Sequence, residues 1–199
     1  MQYLKDEMRS KIIEKALIEF QEKGYSGASI RNIAKYSGTS PGNIYKYFKS
    51  KDDLYENLIG SVYFKIMGCM GQFSKVELNE KAETVFYELM GNILAIIEES
   101  SVELSILLNK SSGSRYENCK STFIGLISEI ITGMISYELA SKGKKLKDSF
   151  IICLLSNSMV ESISIILTEK EDSAEAKALI LALIDIFFGN LAEKLSEQA

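Results

Sequence analysis

The sequence predicts an all-α protein, with an N-terminal three-helix domain containing a helix-turn-helix over residues 1–50 and a fourth helix leading into a helical bundle over 51–199. Three observations carry this expectation. Apolar residues recur at helical spacing in every long segment, and no strand-like alternation of any length appears. Three serines, Ser29, Ser40 and Ser50, stand where short helices would begin. The last two segments are apolar over more than one helical face, as bundle helices are.

Taken in order, residues 6 to 22 place Ile12, Ile13, Ala16, Leu17 and Phe20 at helical spacing, and Gly24 is suited to end that helix in the left-handed conformation. Ser29 then offers its hydroxyl to the open N–H groups of a short helix that carries Ile30, Ile33 and Ala34 inward and stops at Gly38. Ser40 caps a third helix, and Pro41 fits the first helical position, where no N–H is needed. Ile44 and Phe48 face back toward the first two helices, and Tyr45 either joins them or faces outward. Ser50, followed by Lys51, Asp52 and Asp53, sets a hydroxyl and two carboxylates at the positive end of a fourth helix. That helix carries Leu54, Leu58, Val62 and Ile66 and reaches about residue 70, where Gly68 and Gly71 weaken or end it. Further helices are expected over 79–99, 101–110, 115–140, 148–169 and 172–196, with a loop at the run SSGSR and a Lys/Gly turn at 142–147.

Charge is distributed unevenly. The net charge is −4, yet residues 1–55 carry +3 and the remainder −7. Residues 24–51 hold Arg31, Lys35, Lys46, Lys49 and Lys51 and no acid. A basic stretch on an acidic chain suits a phosphate-facing surface, because each cation near a phosphate releases condensed counterions. Two short helices joined by a glycine turn, the second opening with small residues, have the geometry of a major-groove reader.

The run Gly24-Tyr25, Ser29-Ile30, Ile33-Ala34, Ser37-Gly38-Thr39-Ser40, Gly42, Ile44-Tyr45, Tyr47-Phe48, Lys51 and Leu54 resembles the N-terminal domain of the tetracycline-repressor (TetR) family. The match covers about the first quarter of the chain, and its many fixed spacings make it more specific than a lone motif. The resemblance implies a homodimer, an all-helical C-terminal effector domain and repression of a palindromic operator relieved by a small ligand. It also places Tyr45, Tyr47 and Lys51 on the DNA backbone, Thr39, Gly42, Asn43 and Lys46 at groove or phosphate, and Arg31 within reach of a base. Ser29, Ser40 and Pro41 complete the expected DNA-binding set. Each has a plainer reading: Tyr45 packs under the helix, Asn43 satisfies nearby backbone, and Lys46 is a solvated charge. Thr39 stands where an apolar residue is common in the family, and Pro41 stiffens the entry to the third helix.

In the last helix, Leu179, Ile180, Leu183, Ile184, Phe187, Phe188, Leu191 and Leu195 form a stripe that Ala178, Leu181, Ala182 and Ile186 broaden. The preceding helix is apolar from Phe150 to Leu155 and continues with Met159, Val160, Ile163, Ile165, Ile166 and Leu167. A bundle core can absorb one side and a partner subunit the other, which predicts a two-fold interface including Phe150, Leu154, Asn157, Glu161, Leu179, Leu183, Ile186 and Phe187. An effector cavity would draw on Met67, Met70, Phe73, Phe86, Tyr87, Met90, Phe123, Met134 and Tyr137, although such stripes also build ordinary core. Asn92, Asn157 and Glu161 could orient a ligand, and the last two could equally bond across the dimer seam.

Other classes find little support. The chain has no histidine, Gly68-x-x-Gly71 lacks the strand and lysine of a phosphate loop, and the serines and cysteines have no evident base. No enzyme, metal or cofactor is therefore expected. Cys69, Cys119 and Cys153 are odd in number and widely spaced, which points away from a disulfide framework and toward a reducing cytoplasm. The opening MQYLKDEMRS is charged, and no uninterrupted apolar stretch approaches the roughly 18 residues of a membrane helix, so no membrane association is expected. The rival reading is a helical ligand- or protein-binding module that does not meet DNA.

Overall fold

A computed structural model describes residues 2–73 and 82–196, and among these it is all-helical apart from an isolated bridge between Leu146 and Ser196. The elements are α1 (Gln2–Gly27), α2 (Ile30–Tyr36), α3 (Pro41–Ile44), α4 (Lys51–Tyr55), a π-helical turn (Glu56–Gly60), α5 (Ser61–Phe73), α6 (Ala82–Glu99), α7 (Ser101–Asn109), α8 (Cys119–Ser141), α9 (Phe150–Glu169), α10 (Ser173–Phe188) and α11 (Leu191–Leu195). The expected start of a helix at 79–81 lies outside the described residues, and so does the side chain of Phe188.

The chain forms two compact units: Met1–Phe64 with Val102–Cys119, and Lys65–Ser101 with Lys120–Ala199. The first therefore runs past residue 50 and takes in a segment from the second half of the chain. Its core joins Ile12, Ala16 and Phe20 of α1 to Ile33, Ala34, Ile44, Phe48, Leu54 and Ile59, with Leu104, Ile106 and Leu107 of α7 equally buried. The ring of Tyr55 stands edge-on to Phe20 (4.8 Å between centroids) and to Tyr25 (4.9 Å), and its hydroxyl lies 2.9 Å from that of Ser111. The two loops are tied by the Tyr25 N–H, which donates to the Lys110 carbonyl at 2.8 Å, and by the Ser26 hydroxyl, which donates to the Ser112 carbonyl at 2.5 Å.

The fourth helix differs from expectation in two ways. Gly68 and Gly71 do not end it, since α5 runs through both to Phe73. Between α4 and α5 the chain makes a π-turn, which admits an extra residue without leaving the helix. Gly60 closes this turn for a packing reason. A Cβ there would sit 2.8 Å from the Tyr116 hydroxyl and 2.9 Å from a Glu56 carboxylate oxygen. These two groups are themselves bonded, Tyr116 donating to Glu56 at 2.6 Å while Arg115 approaches the same oxygen at 3.1 Å.

In the second unit α10 packs on α9 and α6. Ile131, Ile135 and Leu139 of α8 share a cluster with Ile152 of α9 and with Leu191 and Ala192 of α11, and Phe86 and Leu155 close its edges. Ion pairs lie at the rim: Lys177 with Glu98 at 2.5 Å, Lys120 with Glu161 at 2.8 Å and Lys65 with Glu99 at 3.4 Å. The expected last helix is broken at its end. A Cβ on Gly189 would lie 2.5 Å from the Asp185 carbonyl, and Asn190 turns left-handed (φ 54°), so α11 leaves in a new direction.

By length and composition alone α8 and α9 are each long and apolar enough to cross a membrane. Neither is an uninterrupted apolar stretch, because polar residues, among them Glu129, Glu138 and Glu161, interrupt the runs. In α9 one apolar face is inward, through Ile152, Met159, Val160 and Leu167, and a second is outward, through Phe150, Ile151, Leu154 and Ile165.

Gly60→Ala is expected to lower the unfolding free energy by about 1–3 kcal/mol, the usual cost of overpacking a filled site, as read by urea denaturation. An unchanged midpoint would show that the π-turn yields without loss.

Candidate nucleic-acid interface

The geometry is set where α1 ends. Gly24 takes φ 68°, ψ 170°, which stops the regular helix at the expected residue, although a last helical turn continues to Gly27. The turn that follows is held by two charged side chains from either side. Glu19, buried on the inward face of α1, accepts from the Ser29 N–H and from the Asn32 side-chain amide, both at 3.0 Å. The Lys51 ammonium donates to the carbonyls of Tyr25 (2.7 Å) and Ala28 (3.4 Å) and lies 4.3 Å from the centroid of the Tyr25 ring. The Tyr25 hydroxyl in turn donates to the Asp52 carboxylate.

Each short helix begins as its sequence suggests. The Ser29 hydroxyl accepts from the Arg31 N–H, that of Ser40 from the Asn43 N–H at 3.2 Å, and that of Ser50 from the Asp53 N–H at 3.0 Å. Asp53 returns the favour by accepting from the Lys49 N–H at 2.7 Å, which fixes the chain entering α4. Between α2 and α3 the turn depends on Gly38 at φ 68° and on Ser37, whose buried hydroxyl donates to the Ile33 carbonyl at 2.7 Å. Regular helix in α3 covers only Pro41 to Ile44, and tight turns through Tyr47 N–H to Ile44 C=O (2.9 Å) carry the chain to buried Phe48.

On this frame the expected contact residues divide. Arg31, Ser40, Pro41, Gly42, Tyr45 and Lys46 are exposed, and Ser29, Thr39, Asn43, Tyr47 and Lys51 are half-buried. Tyr45 faces outward, 53% exposed, which settles the choice left open for it in favour of the surface. The Asn43 amide donates to the Thr39 hydroxyl at 2.8 Å, so its NH2 is partly engaged within the motif. Lys51 is engaged more fully, its donors turned onto carbonyls of its own unit. Three features had not been anticipated. The signal for Glu19 was present, a carboxylate at helical spacing from Ile12 and Ala16 on an otherwise apolar face. The Lys110–Cys119 segment carries no mark in the sequence of packing beside Tyr25 and Tyr55, and the π-turn carries none either.

The expected effector residues all lie in the second unit. Met70, Phe73 and Phe123 are buried there, Met67, Phe86 and Met90 half-buried, and Tyr87 and Tyr137 exposed. Phe73 and Phe86 meet edge-on at 5.9 Å. Of the expected interface residues, Phe150, Leu154, Asn157, Glu161, Leu179 and Ile186 are exposed, and Leu183 and Phe187 are half-buried.

Three comparisons bear on this arrangement. Residues 12–58 match the family model described as bacterial regulatory proteins, tetR family. The chain is 42% identical over 60 residues to the "Probable HTH-type transcriptional regulator YttP" of Bacillus subtilis, a match spanning 30% of this chain and only 29% of that protein. It is 26% identical over 127 residues to IcaR of Staphylococcus aureus, the HTH-type negative transcriptional regulator of the biofilm operon icaADBC, covering 62% of this chain and 67% of that one. The fold is shared with the crystal structure of the transcriptional regulator FadR from Bacillus subtilis in complex with stearoyl-CoA, with TM-score 0.53 and 17% identity over 91% of this chain and 98% of that one.

Two measurements test the frame. Lys51→Met removes the charged donor to two carbonyls and is expected to lower the unfolding free energy by about 1.5–3 kcal/mol in urea, the range for bonds to a charged group. An unchanged midpoint would free the ammonium for another role. Tyr25 is raised to about 12 by burial and then by its bond to Asp52, and Tyr55 is raised to about 12 chiefly by burial. Both hold their protons more tightly when folded than the ordinary value of about 10. The stability they contribute is complete below that value and is lost as pH rises through about 12. Unfolding free energy should therefore be level below about pH 10 and fall above it, and Tyr25→Phe should make the fall shallower.

Proposed function

We propose that the chain, whose residues 12–58 match the tetR family of bacterial regulatory proteins, is a DNA-binding transcriptional repressor of that family that acts as a homodimer and is released from its operator by a small, largely apolar ligand. The observation that carries this reading is the exposure of α2 and α3 side chains within residues 24–51, a run without an acid, on a helix-turn-helix capped at all three helix starts. Arg31, Lys46, Tyr45 and the small residues Ser40 and Gly42 face outward on it, a composition suited to phosphates and base edges. The division of labour follows the two units: the first reads DNA, and the second dimerises and takes the effector. That IcaR is a negative regulator supports repression as the sign of control.

Dimerisation is supported by the apolar residues that α9 and α10 leave outside, with Phe150 62% and Ile186 72% exposed. A two-fold pairing of these helices would bury them and set two α3 helices about one DNA turn apart, roughly 34–36 Å, on a palindromic site. For the effector, the stearoyl-CoA bound to FadR supports an apolar ligand. Two hydroxyls of the second unit, those of Ser128 and Ser156, are buried without a partner among the described residues, and a polar group on such a ligand could satisfy them. Binding would act by shifting the population between DNA-competent and incompetent arrangements. The setting this assigns is the bacterial cytoplasm, and the role is regulatory rather than enzymatic.

The experiment is a binding isotherm to duplex DNA at several salt concentrations. Affinity is expected to fall steeply with salt, as phosphate neutralisation requires. Binding that is absent or indifferent to salt would leave a helical ligand- or protein-binding module as the better reading. Ile186→Glu places a charge on the exposed apolar face and is expected to convert dimer to monomer in sedimentation velocity, lowering DNA affinity by more than tenfold. A variant that stays dimeric would move the interface elsewhere.

A further inference from the structure

The DNA-binding residues expected from the sequence lie on or beside α2, α3 and the start of α4. Resting on the DNA-binding reading above, we propose that α1 adds a phosphate clamp, with Lys11 at the front of α3 and Arg9 at its back.

The side chain of Lys11 leaves α1 toward the turn of the helix-turn-helix. Its ammonium lies 3.8 Å from where a Cβ would stand on Gly38, the left-handed glycine two residues before the Ser40 cap. Lys11 is exposed and forms no hydrogen bond or ion pair among the described residues. Glu14, an acid one turn along the same helix, is bonded to Lys15 at 2.6 Å and is only more weakly stabilised by the charge of Lys11.

Arg9 reaches the other end. Its guanidinium lies 5.3 Å from the centroid of the Phe48 ring, where the chain leaves α3, and donates once to the Asn57 side-chain carbonyl at 3.2 Å. A guanidinium has five N–H donors, so the bond to Asn57 orients the group and leaves most of its donors facing water. The nearby carboxylates are occupied, Asp53 by the Lys49 N–H and Asp52 by the Tyr25 hydroxyl.

One helix thus holds a cation at each end of the short helix that would enter the major groove. That groove is about 12 Å wide and walled by phosphates of both strands, so cations flanking an inserted helix meet backbone on either side. Both residues lie outside the acid-free run 24–51, and α1 as a whole carries acids as well as bases, which hides them from a count of charge.

The test uses the full-length protein. Duplexes enriched from a random pool by the wild-type chain are labelled and titrated by fluorescence anisotropy between 50 and 200 mM salt, beside a scrambled duplex. Failure to enrich any duplex, with no binding to either probe, would sink the DNA-binding reading itself. Where the wild type binds, Lys11→Gln and Arg9→Gln are each expected to lower the slope of log affinity against log salt by about 0.9 per head, and to weaken both probes alike. Arg9→Lys should restore most of the slope, which a purely packing role over Phe48 would not require. Lys23→Gln, a cation of the same helix near Glu22, should leave the slope unchanged. Lys11 is exposed, so Lys11→Gln is expected to fold as the wild type does, checked by an unchanged urea midpoint, and it decides the matter. A wild-type slope in Lys11→Gln overturns the clamp at the front of α3, and a wild-type slope in Arg9→Gln overturns it at the back.

Discussion

The first unit depends on how one turn, from Gly24 to Ser29, is held. A chain that stops a helix with a left-handed residue exposes carbonyls and N–H groups that no helix satisfies. Here Glu19 takes the Ser29 N–H, Lys51 takes the carbonyls of Tyr25 and Ala28, and Lys110 takes the Tyr25 N–H. A buried anion, a half-buried cation and a backbone carbonyl from other parts of the chain thus meet on three residues, Tyr25, Ala28 and Ser29. The position of α2, and through it of α3, follows from that junction. Removing either charged partner leaves a desolvated group behind, which costs more than the bond itself contributes.

Much of this was legible in the sequence because it is local chemistry. A serine followed by a helical run states a cap wherever it occurs, and Ser29, Ser40 and Ser50 all act as read. Gly24 and Gly38 have the positive φ that their place at helix ends suggests. The two-sided apolarity of α9 and α10 was equally plain, and outward-facing Phe150, Leu154, Leu179 and Ile186 follow from it.

What was not legible is long-range. Nothing in the residues of Lys110–Cys119 announces that they belong beside Tyr25 and Tyr55, because the contacts are backbone carbonyls and hydroxyls that any loop possesses. Lys51 is the instructive case. As a cation at a helix start in a basic stretch it reads as a phosphate contact, yet its nearest acceptors are carbonyls some twenty residues back. Composition reports that a charge is present and says nothing about which acceptor is within reach. Gly189 and Asn190 form a readable stop signal that a strongly apolar stripe overrode, which is why α11 was merged with its neighbour.

The π-turn has a consequence for phase. Leu54, Leu58, Val62, Ile66 and Met70 are all buried and stand four residues apart. In a helix of 3.6 residues per turn, each step of four advances about 40°, so such a series drifts by roughly 160° around the axis and would wind off any one face. One extra residue, worth about 100° of rotation, takes up most of that drift. The inserted residue therefore acts as a clutch between two stretches of one helix. It lets Leu54, Leu58 and Val62 of the first unit all stay buried across the joint, and deleting a single residue there would turn the first turn of α5 out of register.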